Sequence, residues 1–267
     1  MKCNITLSVL ASVMLLISCS KHKDCDHPVA DKKELLRRIE WPSASASGEL
    51  KYDTDSTLLK IIYTTSTGNS EIGFTYDNKG RVEQIASAAM GKYADYAYDN
   101  KDRVSHIFLN SDYSTSSIVY EFTYDAGNKV STLKYWIANG TGTKLQWSST
   151  YQYNAEGLVN KVISVSNNST VTYTLENYSD VLNFNPWAYI YYLDVAEMYE
   201  LYNYPVLSRA NKFPGKITQA TSSSGTIQKV IENTYTIQNK RLDKTTVKIT
   251  YPPNPQYNTQ YDIKYFY

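Results

Sequence analysis

Three groups of residues in this chain are of types that could do chemistry. His22, Asp24, Cys25, Asp26 and His27 bring two imidazoles, a thiol and two carboxylates together within six residues. Such a set could ligate zinc or copper. It lies in a short polar stretch with no apolar neighbours to build a shell around an ion, so a solvated spacer is the expectation and no metal is assigned. His106 is the only other histidine, so a Ser-His-Asp or Cys-His site in the folded part would have to use it. It follows Val104 in an alternating segment and is expected to pack or to face water. Asp194, Glu197 and Glu200 recur at helical spacing. Glycoside hydrolysis needs two carboxylates facing each other across a cleft, one with its pKa raised by burial. Three acids along one exposed helix side do not supply that pair. No nucleophile elbow, P-loop, His-Glu-x-x-His or dinucleotide fingerprint is present. No catalytic residue and no cofactor are therefore assigned, and the chain is not expected to be an enzyme.

One cysteine stands apart. Lys2 precedes a short, mostly apolar run from Ile5 to Ile17, and the run ends in Leu16-Ile17-Ser18-Cys19. The run is too short for a stable transmembrane helix, which needs ~20 apolar residues, and reads as a secretory signal. Leu-x-small-Cys directly after it resembles the lipobox of bacterial lipoproteins, in which the cysteine is acylated and becomes the new N-terminus. The expectation is a signal peptide over 1–18 and a lipid anchor at Cys19, with 19–30 as a tether. Acyl chains contribute about 0.8 kcal/mol per buried CH₂, which attaches a protein to a membrane without spanning it. Beyond Cys25 there is no cysteine, so the folded domain must be held by its core rather than by disulfides.

The charge is near balance, with 27 basic and 26 acidic side chains. That argues against nucleic acid as a partner. Tyrosine is in excess, 26 against 6 phenylalanines. Tyrosine suits surfaces that are half apolar and half wet, such as a β-sheet or a ligand platform. Trp136, Trp147 and Trp187 are the candidate platform, with a glycan or an envelope protein as the partner it would suit.

The elements that must position these residues announce themselves through a repeat. Tyr52-Asp53-Thr54-Asp55-Ser56-Thr57-Leu58 is followed by Tyr76-Asp77-Asn78-Lys79-Gly80-Arg81-Val82 and Tyr98-Asp99-Asn100-Lys101-Asp102-Arg103-Val104. Tyr124-Asp125-Ala126-Gly127-Asn128-Lys129-Val130 and Tyr153-Asn154-Ala155-Glu156-Gly157-Leu158-Val159 complete the series, with a shortened echo at Gln238–Leu242. Asp53, Asp77, Asp99, Asp125 and Asn154 stand where a side-chain oxygen can accept amides of a tight turn. Gly80, Asp102, Asn128 and Gly157 stand where φ must be positive, with Ser56 as the weakest substitute. The flanks alternate with period two. Ile118, Tyr120, Phe122 and Tyr124 share one face, and Leu145, Trp147, Ser149, Tyr151 and Tyr153 another, as half-buried antiparallel strands do.

Two stretches depart from this pattern. Leu35, Leu36 and Ile39 after Asp31 predict a short helix and linker over 31–48. Trp187, Tyr191, Val195, Met198 and Tyr202 predict an amphipathic helix over 187–203, within an insert spanning about 181–214.

Tyr-Asp-x-x-Gly-Arg-Val at 76–82 resembles the YD repeat of Rhs-type proteins. Together with the lipobox, the tether and the stretch before "LSRANKFPGKIT", it resembles a family of Bacteroidetes lipoproteins of unknown function with a porin-like fold. The resemblance covers about residues 50–267. It implies a fold and an outer-membrane location facing the periplasm or the cell surface; it transfers no catalytic residue.

The expected fold is all-β, an antiparallel up-and-down meander of these hairpins over 49–267, strongly curved or closed into a barrel. The expected function is that of an outer-membrane-anchored, non-catalytic binding or scaffold protein. The alternatives are an integral outer-membrane β-barrel, whose apolar faces would point to lipid, and an envelope-polymer hydrolase.

Overall fold

The computed structural model describes residues 35–267 except 88–90, 113, 168, 184–202, 207–209 and 222–223, and of Lys92 the backbone alone. Sixteen strands follow one another: β1 (Arg38–Trp41), β2 (Ala46–Tyr52), β3 (Leu58–Thr65), β4 (Gly68–Tyr76), β5 (Val82–Ser87), β6 (Lys92–Tyr98), β7 (Val104–Ser111) and β8 (Ser117–Tyr124). The second half comprises β9 (Val130–Asn139), β10 (Gly142–Tyr153), β11 (Val159–Ser166), β12 (Thr170–Tyr178), β13 (Pro214–Thr221), β14 (Ile227–Gln238), β15 (Arg241–Thr250) and β16 (Thr259–Phe266). Each strand pairs with its sequence neighbours, and β1 pairs with both β2 and β16, which closes the barrel. Closure satisfies the backbone groups that an open sheet would leave at its edges.

The expected meander and its curvature are present, and its turns divide by end. The five motif turns and the short turn from Gln238 to Arg241 lie at one end, the tight-turn end, together with the long β12–β13 connection. The other end carries two-residue turns at 66–67 and 140–141 and the looser connections.

The expected short helix and linker over 31–48 are not what the described part of that stretch forms. Arg38–Trp41 is β1, and the small-residue run expected to be a linker opens β2 at Ala46. Leu36 and Ile39 are both about 1% exposed. They satisfy helical spacing, but β16 and β2 offer β1 a backbone partner on each side, and tertiary pairing overrides the local pattern. The helix expected over 187–203, including Trp187, lies outside the described residues apart from Asn203, which stands in a turn.

One parity holds around the wall. Ile61, Ile107, Leu133, Val162, Ile217, Val247 and Ile263 are at most 2% exposed and face inward. Each such side chain contributes about 1.5–3 kcal/mol relative to leaving it in water. Outward positions carry Lys60 against Glu71 (2.9 Å), Lys134 against Glu121 (3.2 Å), Lys244 against Asp262 (3.0 Å) and Lys248 against Glu232 (3.1 Å). The connection between β12 and β13 adds to the interior: Leu182, Tyr204 and Phe213 join the same apolar core. The hydroxyls of Tyr151 on the wall and Tyr204 meet at 2.6 Å, and the Phe122 ring packs edge-on against Tyr204.

Candidate functional site on the outer wall

The tight-turn end accounts for the repeated motif. In all five copies the first turn residue accepts the backbone amide four positions on: Asp53 from Thr57, Asp77 from Arg81, Asp99 from Arg103, Asp125 from Lys129 and Asn154 from Leu158. The fifth position has positive φ each time, at Ser56, Gly80, Asp102, Asn128 and Gly157. These nine candidate turn residues and Ser56 are thus occupied with backbone geometry.

The tyrosine and the basic residue have a role that the sequence did not disclose. Each motif tyrosine donates its hydroxyl to a carbonyl at the start of the preceding odd-numbered strand. The pairs are Tyr76 to Leu58, Tyr98 to Val82, Tyr124 to Val104 and Tyr153 to Val130, at 2.6–2.8 Å. Tyr52 does the same to Leu36, Tyr178 to Val159, Tyr235 to Pro214 and Tyr267 to Leu242. The barrel is therefore eight clasped hairpins, three more than the five full motifs. In three of the five motifs the residue before the strand is basic and covers the next clasp: Arg81 lies over Tyr98 at 4.0 Å, Arg103 over Tyr124 at 4.1 Å and Lys129 over Tyr153 at 5.0 Å.

Arg81 also joins two turns, bonding Asp77 on its own turn and Asp102 on the next at 2.6 Å. Its side chain is only partly exposed, held between the two carboxylates. A cleft of about 370 Å³ lies between these turns. Its Asp77, Lys79, Arg81, Asp99 and Asp102 are matched to one another or to Arg103. The hydrogen bond from Arg81 holds the Asp77 carboxyl below the usual carboxylate range, and that from Lys79 does the same for Asp102. These are the signs of a structural ion ladder rather than of a site poised for proton transfer.

The outer wall carries a second feature. Phe108 pairs across to Val119, Val119 to Trp136 and Trp136 to Leu145. This makes one apolar row across β7, β8, β9 and β10 in a wall otherwise rich in Lys, Glu and Thr. The Trp136 indole donates to Glu121 at 2.9 Å, and the other Glu121 oxygen takes Lys134. His106 lies in the same wall, its ring parallel to Phe108 at 5.7 Å and its Nδ1 beside Ser105.

A β-bulge builds the row. The pairing register of β10 against β9 shifts between Leu145 and Trp147. Leu145, expected to share a face with Trp147, is turned outward and is 37% exposed. Trp147 points inward, stacked on Tyr135 at 5.1 Å. The candidate platform residues are thus not brought together: Trp136 and Trp147 occupy opposite faces of one hairpin, and Trp187 lies outside the described residues. Phe108, Val119 and Leu145 were missed because their alignment depends on register across four strands, which only the bulge and the pairing decide.

Cys19, the tether cluster at 22–27 and the acids at 194, 197 and 200 lie outside the described residues. Among the described residues no group of three or more His, Cys, Asp or Glu could hold a metal ion. No described helix is long and apolar enough to cross a membrane.

No family profile and no curated protein matches this chain. Among solved structures, the chain resembles a porin-like protein from Bacteroides vulgatus ATCC 8482 at a TM-score of 0.50 and 12% identity. That match covers 78% of this chain and 97% of the other. A structure described as TcdB2-TccC3-TEV matches at a TM-score of 0.36 and 11% identity, over 86% of this chain and 14% of that one. The first likeness supports a porin-like barrel fold.

Proposed function

We propose that this chain is a lipid-tethered barrel of the outer membrane that stands in water and serves as a non-catalytic binding or scaffold protein of the cell envelope. The observation that carries this reading is the parity of the wall. Its buried positions are mostly apolar, with Ser87, Ser149, Asn233 and Thr245 as the polar exceptions, and its outward positions hold Lys60–Glu71, Lys134–Glu121, Lys244–Asp262 and Lys248–Glu232 in the middle of strands. A membrane barrel carries an outward apolar band ~25 Å tall, and a Lys or Arg at its midplane costs about 2–4 kcal/mol. Facing this wall to lipid would incur that cost many times over. Leu16-Ile17-Ser18-Cys19 supports attachment through the thiol of Cys19 instead.

The chain enters the barrel at the tight-turn end, where Tyr52 clasps Leu36. The wall and the looser turns are the surfaces to which this reading assigns a glycan or a protein partner. The likeness to a porin-like protein favours a second reading, an integral outer-membrane barrel.

Two measurements separate them. The chain without its first 19 residues, produced without detergent, is expected to be monodisperse by light scattering. A requirement for detergent would overturn the tethered reading in favour of the integral barrel. In the full chain, radiolabelled palmitate is expected to be incorporated, and Cys19→Ala to abolish the label. Protease treatment of intact cells then distinguishes the periplasmic from the surface-facing orientation.

A further inference from the structure

We infer that the row Phe108–Val119–Trp136–Leu145 is a platform for a neutral saccharide chain; this rests on the reading of the protein as a water-facing binding protein and names its ligand. Neighbouring strands lie about 4.8 Å apart, so a row over four strands spans roughly 15 Å. A short oligosaccharide lying across the strands would match that length.

The row is held ready in the free protein. Glu121 fixes the Trp136 indole through its N–H, and Lys134 fixes Glu121 in turn. Lys134 also lies 5.8 Å from the centre of the Trp136 ring. Phe108 is braced by the parallel ring of His106. Side chains already restrained lose little freedom when a ligand arrives, which is how a small flat surface can bind measurably.

The surroundings decide among occupants. A lipid surface would have to desolvate the Lys134–Glu121 pair, which lies one step along the strands from the row. A second copy of the chain finds no free strand edge, because the barrel is closed. The apolar area left open by three half-buried side chains and the exposed Leu145 is on the order of a few hundred Å². A stable protein interface needs about 800 Å² from each partner.

A sugar chain fits both the size and the chemistry. Its C–H faces pack on rings and aliphatic groups, while its hydroxyls need donors and acceptors alongside. Asp95 ends the row on β6, bonded to Gln84 and Asn110, and Ser117 bonds Asn110 beside it. Glu121, Lys134 and His106 stand on the other side. Lys134 is matched by Glu121, so an uncharged chain meets this surface better than an acidic one.

The test is affinity electrophoresis of the chain without its first 19 residues through native gels containing a soluble β-glucan, xylan, mannan, dextran or, as an acidic comparison, polygalacturonate. Retardation by at least one neutral polysaccharide is expected. Trp136→Ala and Leu145→Arg are each expected to weaken it at least tenfold, with Tm within a few degrees of the parent. Ile62→Arg, on the outer wall of β3, should leave it unchanged.

Folded protein that no neutral polysaccharide retards would overturn the inference, as would retardation by polygalacturonate alone. Retardation untouched by both Trp136→Ala and Leu145→Arg would place any site elsewhere. A concentration-dependent dimer abolished by Leu145→Arg would show that a second copy covers the row. Each of these outcomes leaves the tethered, water-facing barrel standing, since that reading depends on behaviour without detergent.

Discussion

The guanidinium of Arg81 lies 4.0 Å above the centre of the Tyr98 ring, while the Tyr98 hydroxyl donates to the carbonyl of Val82, the residue that follows Arg81. Two consecutive residues of one repeat thus grip the tyrosine of the next from its face and from its tip. The motif does more than turn the chain: it ties each motif turn to the one before it around the wall. Tyrosine suits this better than phenylalanine because its ring packs while its hydroxyl satisfies a carbonyl at the end of a strand.

Removing one hydroxyl should loosen one clasp. Tyr98 also accepts a hydrogen bond from the Asn203 amide at 3.1 Å. Tyr98→Phe therefore leaves two groups without their partner and should cost about 1–3 kcal/mol. Urea unfolding followed by fluorescence would show a lower midpoint with the slope unchanged. An unaltered midpoint would mean that the clasp is incidental.

The positive-φ positions predict effects of opposite sign. Gly80 has φ of +73°, and a β-carbon is disfavoured there by about 1–2 kcal/mol, so Gly80→Ala should destabilise. Ser56, at φ of +68°, already carries that strain. Ser56→Gly should stabilise, by less than 1 kcal/mol once the added freedom of the unfolded chain is counted. Thermal melts of both variants check the pair, and destabilisation by Ser56→Gly would contradict the turn assignment.

Tyr151 and Tyr204 give a double-mutant cycle. Both hydroxyls are buried, and burial raises both well above the ordinary tyrosine value, so they remain neutral through moderately alkaline pH. Tyr204→Phe strands the Tyr151 hydroxyl in the core and should cost about 1–3 kcal/mol. Replacing both by Phe should recover part of that loss, because neither hydroxyl of the pair is then left buried without the other. Additive single effects would show that the pair does not pin the β12–β13 connection to the wall.

Acid should release the ion ladder. The Asp77 carboxyl is lowered by its hydrogen bond from Arg81, and Asp102 by that from Lys79. A lowered folded pKa means that the contribution is fully present above the ordinary carboxylate value, about 3.9, and is lost as pH falls through the lower folded value. Asp77→Asn keeps an oxygen for the turn amides but loses the charge. The Tm gap between the parent and Asp77→Asn should be widest above pH 5 and should narrow toward pH 3. A gap constant with pH would mean that Arg81 gains nothing from the charge on Asp77.

Much of the architecture was legible because it is local. The side-chain oxygen of Asp77 and the missing β-carbon of Gly80 report on a turn closed within five residues, wherever the turn sits. The clasps of Tyr178, Tyr235 and Tyr267 were not legible, since their acceptors are backbone carbonyls, which have no sequence identity, and the tight five-residue turn is absent beside them. β1 was misread because Leu35, Leu36 and Ile39 fit a helix until β16 and β2 are there to pair with it. The outer row needed both the bulge at Gln146 and four strands in register to bring Phe108 into line with Leu145.

The amino-acid sequence by itself determined where the motif turns fall, that the chain from about residue 49 runs as strands between them, and that successive side chains fall on two unlike faces. It could not say which face is the inside. An alternation of period two looks the same whether its apolar half lines a core or meets lipid, and inverting the barrel changes no local interaction. Only closure of β1 on β16, with Tyr204 reaching the inner wall, decided that the apolar half is buried and the charged half faces out. Burying the charged half would cost far more than hydrogen bonds could return, and that difference in solvation sets the handedness of inside and outside.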